Sequence, residues 1–387
     1  MKRTAVLSNT RLVLALIFGL GAFATAQSAP QPPTETPVPA AAYVYIAGSN
    51  GSQTQIEAYS ASANGALTAV PGSPFKSDSI STLAASGQWL YGANTVDIFV
   101  YAIASTGAIK PVSSINAQQY NGYADGGPIS LFLDRTSSTL YDLDIYGNNG
   151  ANNTYQFFSS ANPSGGLTYL GATASASPEF ETSLSFIPGD KFGYGASNYH
   201  GFQNIYGFSR AANGALTDMN LNTPIPAAPV GAYGPYLAAA DTTNHLAITL
   251  SPTNDMTPCG PTQLASYTAN SEGTLTTTNT SQNMPVLGVG SPNSIAISSS
   301  GTLLAVGGTS GLQVFHFNGA NPITKFTGPL VSDNISQVAW DSTGHLYAIS
   351  QSTGKLYAFT VTSTTARPAP GSPHTVAGPM NLVVLSK

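Results

Sequence analysis

NGALT occupies residues 64–68 and recurs unchanged at 213–217. The chain is rich in Gly, Ala and Thr, so the flanking residues must decide what the repeat means. YVYIAGSNGSQTQIEAYSASANGALTAV (43–70) and FGYGASNYHGFQNIYGFSRAANGALTDM (192–219) share one pattern: strand, polar loop, strand with aromatic alternation, Asn-Gly turn, strand. The Gly of the turn can take φ > 0, and Leu-Thr opens the next strand with its apolar side chain inward.

Looser copies of the hairpin follow: GAIK at 107–110, GGLT at 165–168 and GTLT at 273–276, with degenerate forms in NPITK (321–325) and TTARPAPGSP (364–373). The leading glycines at 65, 107, 165, 214 and 273 are separated by 42, 58, 49 and 59 residues. A period near 50 with unequal insertions is the pattern of propeller blades. Naming the four strands of a unit A to D, A strands are readable in SISTLAAS (79–86), PISLFLD (128–134), TSLSFIP (182–188), PYLAAAD (235–241), NSIAIS (293–298) and ISQVAWD (335–341). The first unit begins directly at its B strand, YVYIAG, and the chain ends on an A strand without a successor, MNLVVLS (380–386). The two defects cancel if the last strand completes the first blade. The expected fold is therefore all-β: a seven-bladed β-propeller of four-stranded antiparallel blades over residues 42–387, its ring closed by the C-terminal strand joining the N-terminal blade. A many-stranded β-sandwich is the rival, but it does not require the termini to complement each other.

Composition agrees with this reading. Only 7% of residues are charged, against roughly a quarter in average globular proteins. Gly, Ser, Thr, Asn and Tyr in their place suit short strands and tight turns. A net charge of −5 without a basic stripe argues against nucleic acid as a partner. Residues 1–26 read as a signal peptide: Lys2, Arg3 and Arg11, then the apolar run Leu12 to Phe23, then Ala24-Thr25-Ala26 before Gln27. An uncleaved anchor is the alternative, although the run is shorter than the roughly 20 residues that span a bilayer. Residues 27–41, with five prolines, read as an extended linker. The mature protein is expected to be secreted or periplasmic, monomeric and without a membrane span. Its single cysteine, Cys259, can form no intramolecular disulfide.

The run YVYIAG…IEAYSA…NGALTAVPGSPF, with PGSPH again at 370–374, resembles the YVTN-type repeat of the seven-bladed lactonase propellers, which include the 6-phosphogluconolactonases. The resemblance implies the same fold. It also implies a cluster of His, Arg and acidic residues near the channel mouth, with a histidine that follows a proline just before an A strand. Here the segments before the six A strands contain no histidine, and only Pro373-His374, before the last strand, has that arrangement.

In such a ring the A–B and C–D turns lie on one face, and the B–C and D–A connections on the other. The A–B turns are short and uniform, whereas the opposite connections vary, as at 115–127, 146–154, 196–204 and 251–263. The variable face is thus the expected functional face. It carries Asp78, Asp125, Glu179, Glu181, Asp255 and Asp333 against Lys76 and Lys355, the wrong sign for a phosphorylated sugar acid. Expected binding residues are Tyr123, Asp125, Tyr199 and Asp255. Were the protein catalytic, Glu179, Glu181 or His200 would supply the base. Asp142 and Asp144 share one face of a strand and could offer oxygen to Ca²⁺, but the spacing matches no EF-hand and reads as a solvated strand edge, so no metal or other cofactor is expected. The expected function is a binding module for carbohydrate, peptide or protein, with a lactone-hydrolysing enzyme as the alternative.

Overall fold

The computed structural model describes residues 40–51, 53–121, 127–146, 152–174, 183–199, 202–252 and 260–387. The signal-peptide reading and nearly all of the linker reading lie outside them. Seven antiparallel sheets follow one another along the chain, and each holds the expected A-B-C-D order. Blade 2 spans 82–116, blade 3 127–174, blade 4 185–218, blade 5 233–276, blade 6 292–325 and blade 7 337–375. Blade 1 takes its B, C and D strands from 42–69, and its A strand is the C-terminal segment Pro379–Ser386, which pairs antiparallel with Ala42–Ser49.

Seven hydrophobic clusters account for the core, one between each pair of neighbouring blades. Tyr45 and Ile56 of blade 1, for example, pack against Leu83 and Tyr101 of blade 2. Val44 and Ile46, on the other face of the same B strand, pack against Tyr347 and Ile349 of blade 7. A two-sheet sandwich would have one core; this arrangement excludes it. A B strand is covered on both faces, so it reads as an apolar run rather than an alternation. Leu303–Gly308 and His345–Ser350 are buried at every residue. The D strand Ile109–Asn116 buries only its first residue.

The NGALT hairpin proves to be a contact between blades as well as a turn. Gly65 has φ of 82° and Gly107 has φ of 84°, in the left-handed region that side chains disfavour. A Cβ on Gly65 would lie 2.8 Å from Cδ2 of His345, which opens the B strand of blade 7. A Cβ on Gly107 would lie 2.5 Å from the ring of Tyr43 in blade 1. The same relation recurs between Gly165 and Trp89, and between Gly273 and Phe192. Hydroxyl groups tie the same glycines: Tyr45 donates to the Gly107 carbonyl at 2.9 Å, Tyr141 to Gly214 and Tyr194 to Gly273, both at 2.8 Å. Blades 7, 1, 2, 3 and 4 each therefore clasp the C–D turn of the next. The repeated PGSP segments of blades 1 and 7 each contain a cis Ser-Pro bond and lead into an extra short strand, Phe75–Lys76 or His374–Thr375, paired back onto strand C.

Candidate functional site

The seven A strands surround a narrow central channel of about 280 Å³. Its polar residues have structural work. The inner edge of an A strand has amides with no further strand to pair with, and side-chain oxygens of the preceding blade accept from several of them. Asn381 Oδ1 of blade 1 accepts from Leu83 N at 2.9 Å, and Thr82 Oγ1 of blade 2 accepts from Leu131 N at 3.2 Å. Ser183 Oγ accepts from Ala238 N at 3.3 Å, Ser294 Oγ from Val338 N at 3.1 Å and Gln337 Oε1 from Leu382 N at 2.6 Å. These oxygens run in one sense around the ring, and each is held by an amide of the next blade.

The channel widens on the variable-loop face into two hollows. One, of about 700 Å³, lies between blades 5 and 6, where Tyr236, Ser251, Thr262 and Ser291 line it. The other, of about 560 Å³, lies between blades 6 and 7 and is lined by Asn334, Ser336, Gln351 and Ser352. Asn293, at the start of the blade 6 A strand, borders both hollows and the channel. Its Nδ2 donates to Asn334 Oδ1 and to the Ile335 carbonyl, both at 2.9 Å, which fixes the amide. Below the larger hollow, Gln263 donates through Nε2 to the carbonyls of Ser281 and Met284 and, through Oε1, accepts from the Tyr233 hydroxyl. No Asp, Glu, His, Lys or Arg stands among the described lining residues of these three spaces.

Most of the residues expected to form a site lie outside the described residues: Tyr123, Asp125, Glu179, Glu181, His200 and Asp255. Tyr199 ends the blade 4 B strand opposite Phe202, and nothing further is described of it. The flanks of the Asp255 loop, Ser251–Pro252 and Pro261–Thr262, do line the larger hollow. Asp333 is on the expected face but committed. It accepts from Thr353 Oγ1 and the Tyr357 hydroxyl, both at 2.6 Å, and lies 4.0 Å from Lys355 Nζ. Partial burial alone would raise its carboxyl, but these partners outweigh that and hold it below its ordinary value. His374, the histidine after a proline, is not at the mouth. It pairs with Leu356 in the extra strand of blade 7, its ring 5.9 Å from that of Tyr59.

Asp142 and Asp144 correct the sequence reading. They are not at a solvated edge: both are fully buried, on the face of the blade 3 B strand that packs against blade 2. A β-strand pattern shows which residues share a face, but not that both faces of a B strand are covered. Desolvation pushes Asp142 well above the ordinary carboxyl range, with the Asp144 charge adding to it. Desolvation likewise raises Asp144 to about 7, against the opposing hydrogen bonds from Gln156 and Asn121.

The mouth residues were not singled out in the sequence, because Asn, Ser and Gln also make the turns of this chain. The signal that could have found them is positional: Asn293, Ser336 and Asn381 recur near the start of aligned A strands.

No protein-family model matches the sequence, and a search of curated proteins likewise finds no match. Solved structures do match. A Bacteroides fragilis protein, provisionally named a 6-phosphogluconolactonase, superposes with a TM-score of 0.67 at 12% identity over 91% of this chain and 99% of its own. A similarly named Bacteroides uniformis protein gives 0.65 at 13% identity over 89% and 99%. A Lactobacillus plantarum protein gives 0.65 at 15% identity over the same shares. At such identities the likeness is one of fold: this chain is a seven-bladed β-propeller, similar in fold to two proteins provisionally named 6-phosphogluconolactonases.

Proposed function

We propose that this chain is an exported binding propeller without catalytic activity, whose ligand is an uncharged carbohydrate seated at the channel mouth across blades 5, 6 and 7. The observation that carries the reading is the position of Asn293 at the junction of two hollows whose described walls offer amides, hydroxyls, backbone and the Tyr236 side chain, but no ionisable acid or base. The larger hollow falls within the roughly 300–1,000 Å³ usual for small-molecule sites. Fixed amides and hydroxyls suit the paired donors and acceptors of sugar hydroxyls. A phosphorylated sugar acid would need Arg or Lys at its phosphate, and lactone hydrolysis would need a base to activate water. The apolar leader at residues 12–23 and the low charge support export.

The test is calorimetric titration of the protein from Gln27 onward with neutral, uronic and phosphorylated oligosaccharides. A neutral oligosaccharide is expected to bind, and Asn293→Ala to weaken it by at least about tenfold. Failure of every neutral glycan at millimolar concentration, or indifference to Asn293→Ala, would overturn the site. Acid release from an aldonolactone panel above background would overturn the non-catalytic reading. Export predicts that the protein recovered outside the cytoplasm begins at Gln27.

A further inference from the structure

Asp142 and Asp144 belong to a buried block of polar side chains. In the register of blade 3, Asp142 stands opposite Gln156 and Asp144 opposite Thr154, so the four side chains share one face as two adjacent cross-strand pairs. The next pair on that face, Leu140 with Phe158, packs into the core shared with Ala93, Val100 and Ala117 of blade 2. Asn121 closes the block from the blade 2 side, following the short 3₁₀ turn Gln118–Tyr120. None of the five residues is more than 5% exposed.

Hydrogen bonding in the block is one-sided. Asn121 Nδ2 donates to Asp144 Oδ2 at 2.8 Å, and Gln156 Nε2 donates to the same oxygen. Six oxygens then remain without a partner: both of Asp142, Oδ1 of Asp144, Oγ1 of Thr154, Oε1 of Gln156 and Oδ1 of Asn121. The other buried aspartates among the described residues are provided for. Asp134 meets Arg210 at 2.5 Å and Asp341 meets His345 at 2.7 Å. Orphaned acceptors at this depth are costly, and an unpaired buried carboxylate costs more. With a proton on one acid, the block would hold two hydroxyl donors, that acid and Thr154, still fewer than the acceptors around them.

A hard cation is the kind of partner that such a set of oxygens would take together. Ca²⁺ takes six to eight oxygen ligands, from carboxylates, amide carbonyls and hydroxyls alike, in flexible geometry. Two carboxylates balance its charge. Mg²⁺ holds on to several waters, and a block sealed from solvent suits it poorly. We propose that Asn121, Asp142, Asp144, Thr154 and Gln156 form a Ca²⁺ site between blades 2 and 3. The ion would tie the end of the Gln118–Tyr120 turn of blade 2 to the B and C strands of blade 3.

Protein purified from calcium-containing medium and exchanged into calcium-free buffer is expected to retain, or to rebind, one Ca²⁺ per chain by elemental analysis and calorimetry, with Kd at or below about 10⁻⁴ M. Raising Ca²⁺ to about 5 mM after chelation is expected to raise Tm by at least about 3 °C, and the same Mg²⁺ to do much less. Asp142→Asn keeps the shape, removes the charge and is expected to abolish both the binding and the shift. Should that variant not fold, Thr154→Val must weaken Ca²⁺ binding at least about threefold. No bound Ca²⁺ and no Tm response in the unmodified protein would overturn the proposal, as would full Ca²⁺ binding by Asp142→Asn.

Discussion

The ring of Tyr43 in blade 1 closes over Gly107 in blade 2, so that a Cβ on that glycine would fall 2.5 Å from two ring carbons. Gly107→Ala therefore meets two penalties, the left-handed φ and the displaced ring. Gly189, in the A–B turn of blade 4, has a similar φ of 85° with no atom within 4 Å of the added carbon. The expected destabilisation is about 1 kcal/mol for Gly189→Ala and about 3 kcal/mol for Gly107→Ala, read from denaturant midpoints. Equal effects at the two sites would mean that the turn conformation, and not the contact between blades, explains the repeated glycine.

The hydroxyl clasp separates from the ring contact in Tyr194→Phe. That change keeps the packing of a fully buried ring but leaves the Gly273 carbonyl without its donor at 2.8 Å. A loss of about 1–3 kcal/mol in stability is expected. The phenol itself stays neutral at any ordinary pH, because burial raises its pKa, so the loss should not vary between pH 6 and pH 9. A pH-dependent loss would point to a different partner.

Closure of the ring was legible in the sequence because it is a counting argument: a first blade lacking its A strand and a last A strand lacking a blade. The turn glycines were legible because φ > 0 selects glycine wherever a tight C–D hairpin occurs. Asp142 and Asp144 were legible as sharing a face, yet their burial was not, since it depends on blade 2, some 25 to 60 residues earlier in the chain. The mouth was legible only as a face. Asn293 is chemically the same residue as the Asn of every turn, and only its place at the start of an A strand, at the junction of three spaces, distinguishes it.

Asn381 and Asn293 should part company for that reason. Asn381 accepts the Leu83 amide across the closure between blades 1 and 2, and Asn381→Ala is expected to cost about 1–3 kcal/mol by leaving that amide unpaired. Asn293 contacts neighbours at the open mouth, and Asn293→Ala is expected to cost less than about 1 kcal/mol. Thermal melts of the two variants in one buffer decide it; a larger loss at Asn293 would make it a structural residue first.

Protonation gives the last test, with signs that oppose each other. The Asp341 carboxyl would be raised by burial, but the His345 side chain and backbone and Thr343 outweigh this and hold it low. A depressed carboxyl stabilises the fold above its unfolded pKa, and that contribution is lost as pH falls through the folded value, below about 4. The Asp142–Asp144 pair runs the other way. Its folded pKa values are raised, Asp144 to about 7 from an ordinary 3.8, so between about pH 4 and pH 7 the folded state binds more protons than the unfolded one and stability falls as pH rises. Metal-free protein is accordingly expected to be most stable near pH 4–5 and to weaken toward pH 7 and above. Asp142→Asn should flatten that decline, because removing one charge relieves the other acid. Melting temperatures in chelator across pH 4–8 provide the measurement, and a metal-free protein whose stability rises steadily from pH 5 to pH 7 would show that the pair is not held as a raised, buried couple.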